Sequence, residues 1–177
     1  YIVNALSIIT IPMEYGLKWV FPFMHGPLMA YSLMYGDALI LHDLDKTTSY
    51  AIHTFGSVVT RRLYWNGPAQ DYFLLSDMTF TSFFNQYKIT YMLYLLWAIP
   101  YAIFYLFPFD GEGITMARYV YRKGPKDILT IEQKLKYIGG HMLFVAIALL
   151  IGTFSMYCWQ FNYFMVSCQI ISGIVNG

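Results

Sequence analysis

Apolar and polar positions alternate in blocks along this chain, and the blocks are long. Tyr1 to Met13 is apolar but short, as the end of a longer hydrophobic segment would be. Glu14, Tyr15 and Lys18 interrupt it. Trp19 to Leu41 is a second apolar block, entered through Pro22 and Pro27, and Thr47 to Trp65 is a third that closes on Arg61-Arg62 with Tyr64 and Trp65. Spanning the hydrocarbon core as a helix takes about 20 mostly apolar residues, so the second and third blocks read as spans. Cations and amphipathic aromatics at a block's end suit the headgroup level.

Asn66-Gly67-Pro68 is a turn signal. Asp71 to Tyr87 is aromatic but dotted with Asp71, Asp77, Asn85 and Gln86, a pattern that predicts an interfacial or half-buried helix. Ile89 to Phe109 predicts a span interrupted by Pro100, whose freed carbonyl a neighbour must satisfy. Asp110 to Lys136 is the one long polar segment. It holds six of the eleven basic residues (Arg118, Arg122, Lys123, Lys126, Lys134 and Lys136), a bias that puts it on the cytoplasmic side. Within it, Thr130 is a candidate N-cap for a following helix. Tyr137 to Ile174 is long enough for two spans joined by a tight turn near Cys158-Trp159-Gln160-Phe161-Asn162. The expected fold is all-α: one membrane domain over 1–177, a transmembrane bundle of about five to six helices, lacking the first spans of a longer protein.

Composition agrees. Hydrophobic residues make up 58% and charged residues 12%, against about 25% charged in an ordinary soluble domain. The lipid bilayer is thus the expected partner. A net charge of +1, with no concentrated basic face, argues against nucleic acid. Cys158 and Cys168 both fall in the last apolar stretch and read as reduced packing residues rather than a disulfide.

Between the second and third blocks lies His42-Asp43-Leu44-Asp45-Lys46-Thr47-Thr48-Ser49. Ionisable groups are costly near hydrocarbon, so a cluster there marks a functional site by default. Two conformations are open. In one, the run is a hairpin and Asp45 or Thr47 caps the following helix. In the other, helix continues through it, and His42, Asp45, Ser49 and His53 fall on one stripe, with Tyr35 on the same line. An imidazole can accept a proton from a hydroxyl, and a carboxylate one turn away can orient it. Lys46 suits an anion such as a phosphodiester.

Other candidates are plainer. His25, in Met24-His25-Gly26-Pro27, reads as a packing residue; His141, after Gly139-Gly140, as a headgroup contact; Asp37 as a buried hydrogen-bonding group. No HxxxH or CxxC pair suggests a metal, and neither a phosphate-binding glycine loop nor a dinucleotide fingerprint suggests a cofactor.

Gly26-Pro27-Leu28, then Leu39-Ile40-Leu41-His42-Asp43-Leu44-Asp45-Lys46-Thr47-Thr48-Ser49, then Ile52-His53, resembles the signature of the glycerophosphocholine acyltransferase family, multi-span membrane enzymes. Tyr94-Leu95-Leu96-Trp97 and Val175-Asn176-Gly177 resemble two further family elements, in the same order along the chain. Where that family carries tryptophan, arginine and asparagine, this chain has Tyr35-Gly36-Asp37. A pair of prolines becomes Gly56-Ser57.

The resemblance implies acyl transfer from acyl-CoA, as co-substrate, to glycerophosphocholine, giving lysophosphatidylcholine in phospholipid metabolism at the endoplasmic reticulum. It implies His42 as base, Asp45 as its orienting carboxylate and His53 as the alternative base. Lys46, Ser49, Tyr35 and Asp37 would serve substrate binding. The rival is a catalytically inactive subunit of a larger membrane complex, there or in a mitochondrial or other membrane. A transporter for a choline-containing solute ranks third, since it would bring an internal repeat that the sequence lacks.

Overall fold

The computed structural model describes residues 14–35, 40, 43–66, 79–108, 120–121 and 128–177. Among them the secondary structure is entirely helical. Helix α1 (Glu14–Phe23) passes through a π turn (Met24–Leu28) into α2 (Met29–Tyr35); α3 is Leu44–Asn66; α4 (Phe80–Tyr101) ends in a second π turn (Ala102–Leu106); α5 is Ile131–Tyr157 and α6 is Trp159–Asn176. The apolar block Tyr1–Met13, residues 71–78 and most of the basic segment lie outside the described residues.

The chain divides into two compact units, one of Tyr1–Thr90 with Ile147–Gly177, the other of Tyr91–Ala146. In the first, α1, its π turn and α2 pack on α3, and α6 packs on α2 and α3. One cluster of its core joins Leu17, Phe21, Tyr64 and Met156. Phe21 lies against Tyr64 at 4.7 Å between ring centroids. The π turn crosses α5 closely enough that a Cβ on Gly152 would stand 2.8 Å from the Gly26 nitrogen and closer still to the Pro22 carbonyl oxygen. Only glycine fits such an approach of two backbones.

Prolines placed at the expected start of a span sit instead within helix, Pro22 in Glu14–Phe23 and Pro27 in the π turn. Pro22 has no N–H for the Lys18 carbonyl one turn earlier. Gln86, from α4, supplies the missing donor: its Nε2 donates to that carbonyl at 2.8 Å. Gln86 is therefore a buried structural amide rather than part of an interfacial face. The expected separate helix over Asp71–Tyr87 is also revised, since residues 80–87 are the first two turns of α4 and run directly into the span. No glycine or proline intervenes before Pro100. Thr79 caps the start, its Oγ1 accepting the Ser82 N–H at 3.2 Å. After Pro100 the ladder widens, and the Phe107 N–H closes a five-residue turn on the Ala102 carbonyl at 3.0 Å.

Thr130 is the cap of α5. The Gln133 N–H donates to Thr130 Oγ1 at 3.2 Å and the Thr130 N–H to Gln133 Oε1 at 3.0 Å, a reciprocal capping box. Helix therefore begins at Ile131, and residues 131–136 leave the expected polar loop for α5. In the second unit Lys134 Nζ donates to the Phe107 carbonyl at 3.2 Å, tying the end of α4 to the start of α5. The turn expected over Cys158–Asn162 contracts to Cys158 alone, because the Asn162 N–H already reaches the Cys158 carbonyl at 3.0 Å. Both cysteines are free.

Two of the described helices are long and apolar enough to cross a membrane, Phe80–Leu106 and Ile131–Tyr157. The larger number of spans suggested by the block pattern is not matched by length and apolarity among the described residues. Helix α3 carries Asp45, Lys46, Arg61 and Arg62, and α6 carries Gln160, Asn162, Gln169 and Asn176 in eighteen residues.

Candidate functional site

The charged run is a turn followed by a helix start. The Asp43 N–H donates to the Ile40 carbonyl at 2.9 Å, and the Thr47 hydroxyl reaches the same carbonyl at 2.5 Å. Asp43 Oδ1 accepts the Lys46 N–H at 3.1 Å, and the Asp43 carbonyl accepts the Thr47 N–H at 3.0 Å. Asp43 is thus the N-cap of α3, in place of the expected Asp45 or Thr47: three residues is the separation at which a short acidic side chain reaches a free N–H. The carboxylate also complements the positive end of the helix dipole.

This settles the choice between hairpin and continuous helix. Residues 40 and 43 are not helical, so a stripe cannot run unbroken from Tyr35 to His53. Tyr35 ends α2, a different helix. His42 and Asp37 lie outside the described residues. What persists is the +4, +4 series Asp45, Ser49, His53 along one face of α3. Asp45 and Lys46 are exposed on its first turn; Ser49 and His53 are half-buried. The His53 ring lies 4.8 Å from that of Tyr31 in α2.

Below this face, in the first unit, lies a polar core. The His25 ring, fully buried in the π turn, stacks on Phe21 at 4.0 Å. Its Nδ1 is 2.9 Å from Asn162 Nδ2 of α6, and its Nε2 is 3.1 Å from Thr60 Oγ1 of α3. Thr60 in turn donates to the Gly56 carbonyl at 2.7 Å. One tautomer satisfies the whole chain: the amide donates to Nδ1, Nε2–H donates to the hydroxyl, and the hydroxyl donates to the backbone. His25 is a neutral strut linking three helices, consistent with the packing role expected of it.

Gln169 forms a second bridge. Its Oε1 accepts from Ser57 Oγ at 2.7 Å and its Nε2 donates to the His53 carbonyl at 3.0 Å. Ser57 also reaches the Thr54 carbonyl at 2.8 Å. Asn162, Gln169, Ser57 and Thr60 have no place in the motif-based reading of the site. Their signal was periodicity: two amides seven residues apart on apolar α6, and polar positions at 53, 57 and 60 on α3, each set on one helical face. Polar groups in an apolar helix face a polar interior.

In the second unit His141 is half-buried among aromatic rings. The Tyr94 hydroxyl is 2.6 Å from its Nδ1, and the rings of Tyr94, Trp97 and Tyr137 stand 5.8, 6.5 and 5.8 Å from it. Part of the Tyr94-Leu95-Leu96-Trp97 element thus serves to enclose an imidazole.

Among the described residues no group of three or more His, Cys, Asp or Glu side chains could hold a metal ion. No family model, curated protein or solved structure matches the chain.

Proposed function

We propose that the protein is a multi-span membrane acyltransferase of the endoplasmic reticulum that moves an acyl group from acyl-CoA to glycerophosphocholine. The observation that carries the reading is the run His42 to Ser49 followed by His53. Its resemblance to the acyltransferase signature is joined to a capped helix start that holds Asp45 and Lys46 in solvent, with His53 two turns further along the same face. In this reading His42 accepts the proton of a glycerol hydroxyl. The oxygen attacks the thioester carbonyl, the carbon–sulfur bond breaks, and the departing thiolate takes up a proton. Asp45 orients the imidazole, and His53 is the alternative base. Lys46 and the basic segment bind phosphate groups, while Ser49, Tyr35 and Asp37 line the substrate. No bound cofactor is required. The helices that are less apolar than α4 and α5 complete a bundle of five to six spans, with their polar faces turned inward.

Separate His42→Ala and His53→Ala variants of the full-length protein test the assignment. Loss of turnover in the first alone supports His42; loss in the second alone moves the base to His53; turnover retained in both rejects the site.

The second reading is a membrane subunit without catalysis. It is favoured by Gly36 at the position where the resembling family carries arginine, and by the broad apolar surface of α4 and α5. Stoichiometric co-purification in an assembly that lacks acyl transfer supports it.

A further inference from the structure

Helix α4 and its π turn, and helix α5, are 27 residues each, about 40 Å at 1.5 Å per residue. That is longer than a hydrocarbon core of about 30 Å. The surplus has a definite position. Between Lys88 and Phe107 lie nineteen steps along the chain without an Asp, Glu, Lys or Arg, about 29 Å of helix. Between Lys136 and Tyr157 lie twenty-one such steps, about 31 Å. Within each helix the uncharged length matches one bilayer thickness: in α4 from Lys88 to the Phe107 carbonyl that Lys134 bonds, in α5 from Lys136 to Tyr157, its last residue.

At one boundary Lys88 is exposed and flanked by Tyr87 and Tyr91. At the other, Lys134 bonds the Phe107 carbonyl while Lys136 pairs with Glu132 at 2.6 Å, and Tyr101 and Tyr137 pack against the buried Leu106 and Leu129. Lysines reach from helix ends to phosphates, and tyrosine rings gather at headgroup depth. Between the boundaries the outward surface is apolar: Leu96 is 73% exposed, Phe104 71% and Leu143 63%, with Met92, Ile103 and Ile147 above half. A contiguous exposed apolar surface marks a place where lipid or another partner covers it.

The geometry points to an assignment of the membrane's edges: α4 and α5 each cross one bilayer, its hydrocarbon bounded by Lys88 and Tyr157 on one side and by Phe107 with Lys136 on the other. Phospholipid acyl chains cover the apolar face. Residues 80–87 stand in the headgroup layer, so exposed Phe80 and Phe84 lie among headgroups and glycerol esters rather than chain ends. The assignment holds whether or not the protein transfers acyl groups.

Single cysteines placed in a Cys158→Ala, Cys168→Ala background of the full-length protein test this in phosphatidylcholine vesicles. The variants are Asn85→Cys, Leu96→Cys and Ile103→Cys, each checked for native helix content. A membrane-impermeant maleimide reacts through the thiolate, which hydrocarbon suppresses. In permeabilised vesicles Leu96→Cys and Ile103→Cys are expected to react on the order of tenfold more slowly than Asn85→Cys. An environment-sensitive dye coupled at 96 under denaturing conditions, before reconstitution, is expected to be quenched most by lipids with a mid-chain spin label, and at 85 by headgroup-labelled lipids. Equal reactivity at 85 and 96 overturns the boundaries. Protection at 96 and 103 without quenching by chain-labelled lipid also overturns the assignment, since protein would then cover that face. Using both 96 and 103 keeps the test decisive should one variant misfold.

Discussion

Gly152 and Gly139 lie in the same helix, and the same substitution should move stability in opposite directions at the two. At Gly152 an added Cβ would lie 2.8 Å from the Gly26 nitrogen and 2.9 Å from its Cα, and nearer still to the Pro22 carbonyl oxygen. Ordinary carbon contacts are about 3.5–4.0 Å. All three obstacles are backbone atoms, so no rotamer change relieves them, and α5 must withdraw from the π turn by about 1 Å. A gap of that size forfeits a quarter to a half of each dispersion contact across the crossing. Overpacking of this kind costs about 1–3 kcal/mol, and the backbone nature of the clash puts Gly152→Ala toward the upper end.

At Gly139 no heavy atom lies within 4 Å of the added Cβ. There only the helix propensity changes, and Gly139→Ala should stabilise by about 0.5–1 kcal/mol. Equilibrium unfolding of the purified full-length protein in detergent, followed by circular dichroism, measures both. The expected separation between the two variants is about 2–4 kcal/mol. Equal stabilities, or Gly152→Ala as stable as the parent, would refute the close crossing.

Gln86→Leu leaves the Lys18 carbonyl without the donor that Pro22 cannot provide, a cost of about 1–3 kcal/mol. In a Pro22→Ala background the same change should cost measurably less, because residue 22 then has its own N–H; equal costs would contradict that account of Gln86. Asn162→Leu and His25→Leu each strip a buried partner from the other. A double-mutant cycle by the same unfolding assay should show coupling of about 0.5–2 kcal/mol, and additivity would contradict the bridge. Asp43→Ala should destabilise by about 1 kcal/mol, whereas Asp45→Ala should cost little stability.

What the sequence reveals here depends on how local each determinant is. The cap at Thr130 was legible because its partner, Gln133, lies one turn away. Pro22 was read as the start of a span because its compensating donor, Gln86, is 64 residues distant and no local pattern points to it. Asp43, Asp45 and Thr47 are all competent caps by composition; only the turn that bonds Asp43 to Ile40 selects among them. The length of the apolar stretch 137–174 puts a turn near Asn162 without telling which residues form it. In α6 Asn162 instead meets His25, a partner fixed by packing. The run 42–53 was recognisable as a place for chemistry, but the continuous stripe through it depended on a helix that in fact begins only at Leu44.

Acyl transfer itself is the most direct test of the proposed activity. Purified full-length protein, given labelled acyl-CoA and glycerophosphocholine, should place label in lysophosphatidylcholine, and the His42→Ala variant, equally folded, should not. Well-folded protein that transfers no label from any of several acyl-CoAs would contradict the enzymatic reading and leave the membrane subunit in its place.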